Sequence, residues 1–305
     1  MRGRPSRYAR SCFNTASLAF GSSKSNSSVS FFSDELQISA AIQLQIESGL
    51  PRAITENELI LHYQPQVELD SGRIIGLEAL VRWQHPNEGL LFPGKFIPQA
   101  EKTRLIDKLG EWVADRAAAH IEQWRAAGIN PPKVSINISP SQFLRGAALP
   151  MIERILNKYS IPPYLLVIEL TEGALMTGPT EARRALGKSR DMGLEISIDD
   201  FGTGFSSLSS LRHYPINRLK IDQSFVRDLD QAPDACAITQ TVIDLAKYLG
   251  IASIAEGIEN EGQFTKIRMM GCNIGQGFFF AKGLSVEELE QRGLVGPGPT
   301  SITRN

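Results

Sequence analysis

The sequence predicts an α/β fold, a TIM-like (β/α)8 barrel in which one strand runs antiparallel to its neighbours. Strand-like and helix-like segments alternate along most of the 305 residues, which is typical of parallel strands joined by crossover helices. The length also fits, because such a barrel typically needs ~250 residues. Residues 70–73, between the first two strands, are too few for a parallel crossover and predict a hairpin.

The ends of the chain differ in composition from the barrel. Residues 1–30 are rich in Arg and Ser and hold no acidic residue. We expect an irregular or disordered leader there, with a transit peptide as the alternative. Residues 31–53 carry partly helix-spaced apolar side chains and predict a lead-in helix or linker. The barrel domain is expected at residues 54–292, and the Gly- and Pro-containing residues 293–305 are expected to form a flexible tail.

Eight segments carry the predicted strands, because each is apolar or β-branched and bounded by turn residues. They are residues 60–69, 74–83, 133–139, 166–171, 195–201, 218–222, 251–257 and 274–281. The principal helices are predicted by amphipathic spacing. They are residues 105–127, 149–159, 181–192, 235–249 and 261–270.

Composition excludes several classes of protein. A net charge of −1 gives no basic field for a nucleic-acid polymer. Cys12, Cys236 and Cys272 are unclustered and odd in number, which excludes a disulfide framework and a Cys-rich zinc site. They fit a reducing compartment, so we expect a cytoplasmic location. The sequence contains no run of 18 apolar residues, so it predicts no membrane segment.

Polar side chains lie near the carboxyl ends of seven consecutive predicted strands. A solvated charge would explain any one of them, but the active sites of such barrels are built at this end. The residues are Glu78, Asn137, Glu169, Asp199, Asp200, Lys220, Glu256 and Gln276. Carboxylates converging on one barrel mouth would repel each other, and a bound cation removes that repulsion. Oxygen ligands without His or clustered Cys favour Mg²⁺ or Mn²⁺, and two adjacent aspartates suit a pair of ions.

Gly202-Thr203-Gly204 follows the two aspartates directly. Glycines allow the backbone to approach a ligand closely. An ordinary turn between strand and helix is the alternative, because a Gly-x-Gly signal by itself is weak.

An ordered set of motifs accompanies these residues. They are Tyr63-Gln64-Pro65, Glu78-Ala79-Leu80-Val81-Arg82-Trp83, Asn137-Ile138-Ser139, Glu169-Leu170-Thr171-Glu172, Asp199-Asp200-Phe201-Gly202, Lys220-Ile221-Asp222, Ala255-Glu256-Gly257 and Gln276-Gly277-Phe278. On these motifs the sequence resembles the EAL domain family of cyclic di-GMP-specific phosphodiesterases, from about residue 54 to 292. One departure is Gly283, where the family often has proline.

The resemblance implies two metal ions, Mg²⁺ or Mn²⁺, with Asp199 bridging them. The implied ligands are Glu78, Asn137, Glu169, Asp199, Asp200 and Glu256. It also implies catalytic roles for Lys220, Glu256, Gln276 and Glu172, with Lys220 orienting or deprotonating the attacking water and Glu172 ordering the glycine-containing loop. The implied contacts to the cyclic dinucleotide are Gln64, Leu80, Arg82 and Asp222.

The resemblance therefore implies hydrolysis of cyclic di-GMP to linear pGpG. Two other functions stay open: a receptor that binds cyclic di-GMP without cleaving it, and a protein-interaction scaffold that kept the barrel. Because every implied metal ligand is present, we expect catalysis. By analogy with the family we also expect a homodimer. The stretch Phe31-Phe32-Ser33-Asp34-Glu35-Leu36 resembles the joint between a GGDEF (diguanylate cyclase) domain and an EAL domain. On that resemblance we expect either a shortened descendant of such a protein or an artificial start, and the sequence leaves both open.

Overall fold

A computed structural model of the protein describes residues 46–204, 211–229 and 232–296. The predicted leader at 1–30, the stretch at 31–36 and residues 297–305 of the predicted tail lie outside these ranges. The described strands are β1 Leu59–Glu68, β2 Ile74–His85, β3 Gly89–Leu91, β4 Lys133–Asn137, β5 Leu166–Thr171, β6 Glu195–Phe201, β7 Arg218–Ile221, β8 Ala252–Ala255 and β9 Ile274–Gly275.

Helices lie between most of these strands. In the described ranges they are α1 (46–55), α2 Pro93–Lys102, α3 Ile106–Ala126, α4 Pro140–Leu144, α5 Ala148–Tyr159, α6 Glu172–Thr177, α7 Pro179–Asp191, α8 Gln223–Arg227, α9 Pro233–Leu249, α10 Glu261–Met269 and α11 Val286–Gln291. No helix within this part of the chain is both long and apolar enough to span a membrane.

Eight of the strands close into a ring. The order is β1-β9-β8-β7-β6-β5-β4-β2, and pairing of β1 with β2 completes the barrel. β1 is antiparallel to both of its neighbours, β2 and β9. All other adjacent strands of the ring pair in parallel. The predicted barrel with one antiparallel strand is confirmed, as is the hairpin at residues 70–73.

The two largest differences from the predicted strands are an additional strand, β3, and a shortened one, β9. β3 was not predicted, because its three residues are too short to show a pattern; it pairs with the end of β2 outside the ring. β9 stops at Gly275 instead of reaching residue 281. The chain turns at Gly277, whose φ is 153°. A Cβ at Gly277 would lie 2.2 Å from the backbone oxygen of Ile258, so the close packing there requires glycine.

The apolar core lies between the strands and the surrounding helices, not inside the ring. On β7, Leu219 and Ile221 belong to that core, while Arg218 and Lys220 alternate with them. Successive strand residues point to opposite faces, so the second pair faces the barrel interior. The interior is therefore polar although β7 is wholly buried.

Helix α1 packs on this core. Ile46, Leu50 and Ala53 are buried at helical spacing, and burying a leucine side chain stabilises by ~1.5–3 kcal/mol. At the other end Leu294 and Val295 are also buried, so packed chain continues past residue 292.

Candidate metal centre

The parallel register brings the predicted site residues to one end of the barrel. Asn137 on β4 pairs with Glu169 on β5, and Thr171 at the end of β5 pairs with Asp199 on β6. Glu256 directly follows β8, and Gln276 directly follows β9. Carboxyl ends of parallel strands meet at one mouth, so these side chains converge.

Glu78 is placed differently from its prediction. It lies in the middle of β2 and not late in the strand, because β2 continues to His85 and pairs there with β3. The ring nevertheless brings its carboxylate to the same mouth. Glu78 Oε1 accepts a hydrogen bond from Asn137 Nδ2 at 2.8 Å, which leaves the amide oxygen of Asn137 as the atom able to face a cation.

Lys220 lies at the centre of the carboxylates, with its side chain only 1% exposed. Its ammonium contacts four of them. The distances from Nζ are 2.7 Å to Glu169 Oε2, 3.3 Å to Glu78 Oε2, 3.2 Å to Asp199 Oδ2 and 2.6 Å to Glu256 Oε1. One cation is therefore shared by four acids, and Asp200 lies beside them.

The pKa values of the buried glutamates reflect this excess of carboxylates over the single ammonium of Lys220. Burial raises the pKa of Glu169 to about 7, because Lys220 only partly offsets it and two neighbouring carboxylates add repulsion. Burial likewise raises the pKa of Glu256 well above its usual range. Burial acts against the charge of Glu78 too, but Lys220, Gln276 and Asn137 outweigh it and lower its pKa. Ionising all of these carboxylates together is therefore unfavourable without additional positive charge.

Two groups of oxygen atoms are spaced to hold cations. Glu78, Glu169 and Asp199 form one group, Asp199, Asp200 and Glu256 the other, with the atoms of each group within 4.8 Å of one another. Asp199 belongs to both. An all-oxygen donor set of carboxylates fits a hard divalent ion such as Mg²⁺ or Mn²⁺.

A local break in β6 lets two consecutive aspartates face the same site. Neighbouring residues of a regular strand point to opposite faces. The β6–β7 register shifts between Ile198 and Phe201, and Asp200 has a φ of 53°. This turns Asp200 towards the mouth, where its backbone N–H donates to Asp199 Oδ1 at 2.9 Å. Burial and the facing carboxylates of Asp199 and Asp222 raise the pKa of Asp200 to about 6.

Glu172 binds the loop that follows β6. Its buried carboxylate accepts from the backbone N–H of Gly202 at 3.0 Å and of Gly204 at 3.2 Å. A Cβ at Gly204 would lie 2.9 Å from Glu172 Oε1, so glycine makes the close approach possible. Residues 205–208 of the predicted loop motif lie outside the described residues.

The predicted nucleotide contacts lie beside these acids. Gln276 Nε2 donates to Glu78 Oε2 at 2.6 Å and to Gln64 Oε1 at 3.0 Å. Asp222 faces Asp200 and also accepts from the backbone N–H of Ser224 at 2.9 Å.

Arg82 is buried next to an exposed aromatic ring. Its guanidinium carbon lies 4.9 Å from the ring centre of Phe92, and its Nε has no hydrogen-bond partner among the described residues. A Cβ at Gly283 would lie 3.4 Å from Arg82 Nη2 and 3.7 Å from Leu80 Cδ1, so Leu80 and Arg82 border the same space.

Sequence interpretation missed Gln66. Its amide nitrogen is 3.2 Å from Gln276 Oε1 and 3.4 Å from Glu169 Oε1. The available signal was its position two residues after Gln64, on the same face of β1.

Known proteins resemble this chain over most of its length. The EAL domain family matches residues 47–283. The chain is 38% identical over 85% of its length to the bifunctional diguanylate cyclase/cyclic di-GMP phosphodiesterase MucR of Pseudomonas aeruginosa. It is 41% identical over 80% of its length to a cyclic di-GMP phosphodiesterase of the same organism. The matches span only 38% and 41% of those two relatives.

Solved structures show the same barrel. The MucR phosphodiesterase in complex with c-di-GMP superposes with a TM-score of 0.78 at 38% identity, covering 80% of this chain and 99% of that one. An EAL domain protein of Listeria monocytogenes superposes with a TM-score of 0.71 at 30% identity, covering 80% of this chain and 96% of that one.

Proposed function

The chain belongs to the EAL domain family, and from that premise we propose that it is a metal-dependent phosphodiesterase that hydrolyses cyclic di-GMP to linear pGpG. The observation that carries the proposal is the excess of carboxylates around Lys220, four of which contact its ammonium. A receptor without catalysis has no need of so much uncompensated negative charge at the binding site. Two relatives are named as cyclic di-GMP phosphodiesterases, one of them bifunctional, and these names support the choice of substrate.

Six residues would hold two divalent ions, with Asp199 shared. One ion would take Glu78, Asn137, Glu169 and Asp199, and the other Asp199, Asp200 and Glu256. Mg²⁺ or Mn²⁺ bound there would supply Lewis-acid chemistry at the phosphoryl group.

Lys220 and Glu256 would handle the proton of the attacking water. The surrounding carboxylates, despite burial, raise the pKa of Lys220 well above its usual range, so its ammonium orients the water as a donor. It can take a proton only after passing its own to a neighbour. Glu256 Oε1, at 2.6 Å, is the nearest acceptor for that proton.

Arg82 would bind a phosphate of the dinucleotide. A guanidinium can donate to two phosphate oxygens at once, and the Phe92 ring beside it limits its motion. Gln64, Leu80 and Asp222 would contact the rest of the nucleotide. Glu172 would keep the loop carrying Gly202 in place, so that Asp200 stays aligned.

Titration of chelator-stripped protein with cyclic di-GMP, with and without Mg²⁺, followed by chromatography, tests the proposal. We expect pGpG only with metal. Lys220→Met should abolish turnover, whereas Lys133→Met, at the opposite end of the barrel, should not. Tight binding without any product in Mg²⁺ or Mn²⁺ would instead identify a receptor, and no binding would identify a scaffold.

Location and assembly are separate proposals. Cys236 and Cys272 are free thiols, which supports a cytoplasmic location. A homodimer rests on the family resemblance, and sedimentation velocity at two protein concentrations tests it.

A further inference from the structure

A buried amide lies directly beneath the candidate metal centre. Gln66 on β1 is fully buried inside the barrel. Its Nε2 donates to Gln276 Oε1 at 3.2 Å and to Glu169 Oε1 at 3.4 Å. Its Oε1 accepts from Arg218 Nη1 at 3.2 Å. One side chain thus joins two residues of the site to a cation below them.

Arg218 links this amide to the base of the barrel. It precedes Lys220 by two residues on β7 and therefore faces the same interior. The Arg218 side chain is 7% exposed, and its Nη2 lies 3.0 Å from Glu195 Oε2. Glu195 also forms an ion pair with Lys133. Two cations therefore share Glu195, but only Arg218 reaches Gln66.

The hydrogen bonds have one direction along this chain of residues. A guanidinium can only donate, so Arg218 requires Gln66 to turn its Oε1 downwards and its NH₂ upwards. That NH₂ then requires Gln276 to turn its own Oε1 towards Gln66. The NH₂ of Gln276 consequently faces the carboxylate of Glu78 at 2.6 Å. The cation at the base and the carboxylates at the mouth therefore favour the same orientation of both amides.

The fold leaves room for this arrangement. Gly76 on β2 pairs directly with Gln66. A Cβ at Gly76 would lie 2.5 Å from Gln66 Oε1, closer than any real Cβ contact. A side chain at residue 76 would therefore displace the amide from the position in which it meets Arg218.

We propose that Gln66 and Arg218 are positioning residues of the metal centre, which orient the Gln276 amide and hold Glu169 in place. The inference rests on the proposed function, because it assigns these residues a part in that same site. If the Gln66 donor is lost, Gln276 Oε1 loses its partner, and the Gln276 amide is then held only through its NH₂, by Glu78 and Gln64. Glu169 loses a donor at the same time. Partners that orient metal ligands in this way typically contribute ~10–100-fold in metal affinity or activity.

The test uses Gln66→Met, Gln66→Glu, Arg218→Met and the double variant Gln66→Met/Arg218→Met in the full chain. Gln66→Glu keeps the size and the acceptor for Arg218 but removes the donor and adds a negative charge, whereas Gln66→Met removes the donor without adding charge. A loss common to both variants therefore reports the missing donor. We expect both Gln66 variants to lower kcat or Mn²⁺ affinity by ~10–100-fold. The double variant should be no worse than Gln66→Met by more than about twofold, because Arg218 acts through Gln66.

Lys133→Met is the matched control. It removes the other cation from Glu195 and leaves the Arg218–Gln66 contact in place, so kcat should stay within about twofold of wild type. An equal loss in Lys133→Met and Arg218→Met would show a general charge effect and overturn the proposal. Thermal unfolding of each variant identifies any that is simply less stable.

Calorimetric titration with Mn²⁺ alone, without nucleotide, separates this inference from the proposed function. If wild type does not hydrolyse cyclic di-GMP, the proposed function fails, while weaker Mn²⁺ binding in the Gln66 variants still supports the positioning role. If both Gln66 variants keep wild-type kcat and Mn²⁺ affinity, the inference is wrong. Should Gln66→Met fail to fold, Gln66→Glu alone decides.

Discussion

At the scale of single residues, the site is defined by charge that the protein itself does not compensate. Glu256 shows this most clearly, because burial raises its pKa despite Lys220 at 2.6 Å. Burial therefore disfavours its charged form in the metal-free protein. Substitutions that remove charge here should consequently separate stability from function.

Glu256→Gln should keep or raise the stability of the metal-free protein and abolish turnover. The amide mimics the protonated acid, so folding loses little. It cannot serve as a charged ligand, and it cannot accept a proton from Lys220. Thermal unfolding in chelator and turnover in Mg²⁺ measure the two effects. Near-wild-type turnover would remove Glu256 from the mechanism.

The sequence predicts those site residues whose positions follow from local strand patterns, and misses those that depend on contacts between distant strands. Glu169 and Lys220 follow from strand alternation and strand ends, which are local patterns. The shared orientation of Asp199 and Asp200 depends on a register shift and a positive φ, which no spacing predicts. The part played by Gln66 depends on contacts across the closed ring, between β1 and β5, and these exist only once the barrel forms.

At the scale of elements, short or interrupted segments were the ones that sequence patterns missed. Helix α2 contains Pro98, which argues against a helix, although Pro93 at its first turn is compatible with one. β9 contributes two residues, because the tight turn at Gly277 ends it. The long elements, such as β1 and α3, carry enough repeats of their period to be predicted.

The loop after β6 should depend on Glu172. Glu172→Gln keeps the size but weakens the hydrogen bonds that its carboxylate accepts from the backbone N–H of Gly202 and Gly204. We expect turnover to fall by ~10-fold or more through misplacement of Asp200, with a smaller change in stability. The Mg²⁺ concentration at half-maximal rate should rise. Glu181→Gln, on the exposed surface of α7, is the control, and equal effects of the two would contradict a specific role.

The β1–β2 hairpin should tolerate no side chain at residue 76. In Gly76→Ala the new methyl group would meet Gln66 Oε1 at 2.5 Å, and such overpacking typically costs ~1–3 kcal/mol. Denaturant unfolding measures that loss, and turnover should fall with it because Gln66 is displaced.

Gly187→Ala is the control for Gly76→Ala. Its Cβ would meet nothing within 4 Å on helix α7, so it should stabilise by up to ~1 kcal/mol through helix propensity. Equal stabilities of the two variants would show that β2 or the Gln66 side chain shifts at little cost.

At the scale of the whole molecule, the barrel strands separate an apolar core, outside the ring, from a polar interior. Apolar side chains fill the space between strands and helices, while the ring encloses a polar interior that runs from Lys133 and Glu195 to the acids at the mouth. The acids at the mouth outnumber the one lysine that they share. Stability and metal binding should therefore be linked through pH.

Stabilisation by Mg²⁺ or Mn²⁺ should increase with pH between about 5 and 8. In the folded, metal-free protein the pKa of Glu169 is raised from 4.5 to about 7 and that of Asp200 from 3.8 to about 6. Over this range the folded state binds more protons than the unfolded state, so rising pH lowers the stability of the metal-free protein. A divalent ion competes with those protons and therefore binds more tightly as they leave.

The measurement is the difference in Tm between metal and chelator at each pH. His120 acts in the opposite sense, because burial lowers its pKa from 6.5 to about 4 and falling pH therefore destabilises the fold through it. The contribution of His120 to stability is the same with and without metal, so it cancels in the difference in Tm. Asp200→Asn should reduce the pH dependence of that difference in Tm, because the variant has one carboxyl fewer from which the metal can displace a proton. A metal-induced shift in Tm that is constant across the range would mean that the ions do not displace protons from these carboxylates, and would place them elsewhere in the molecule.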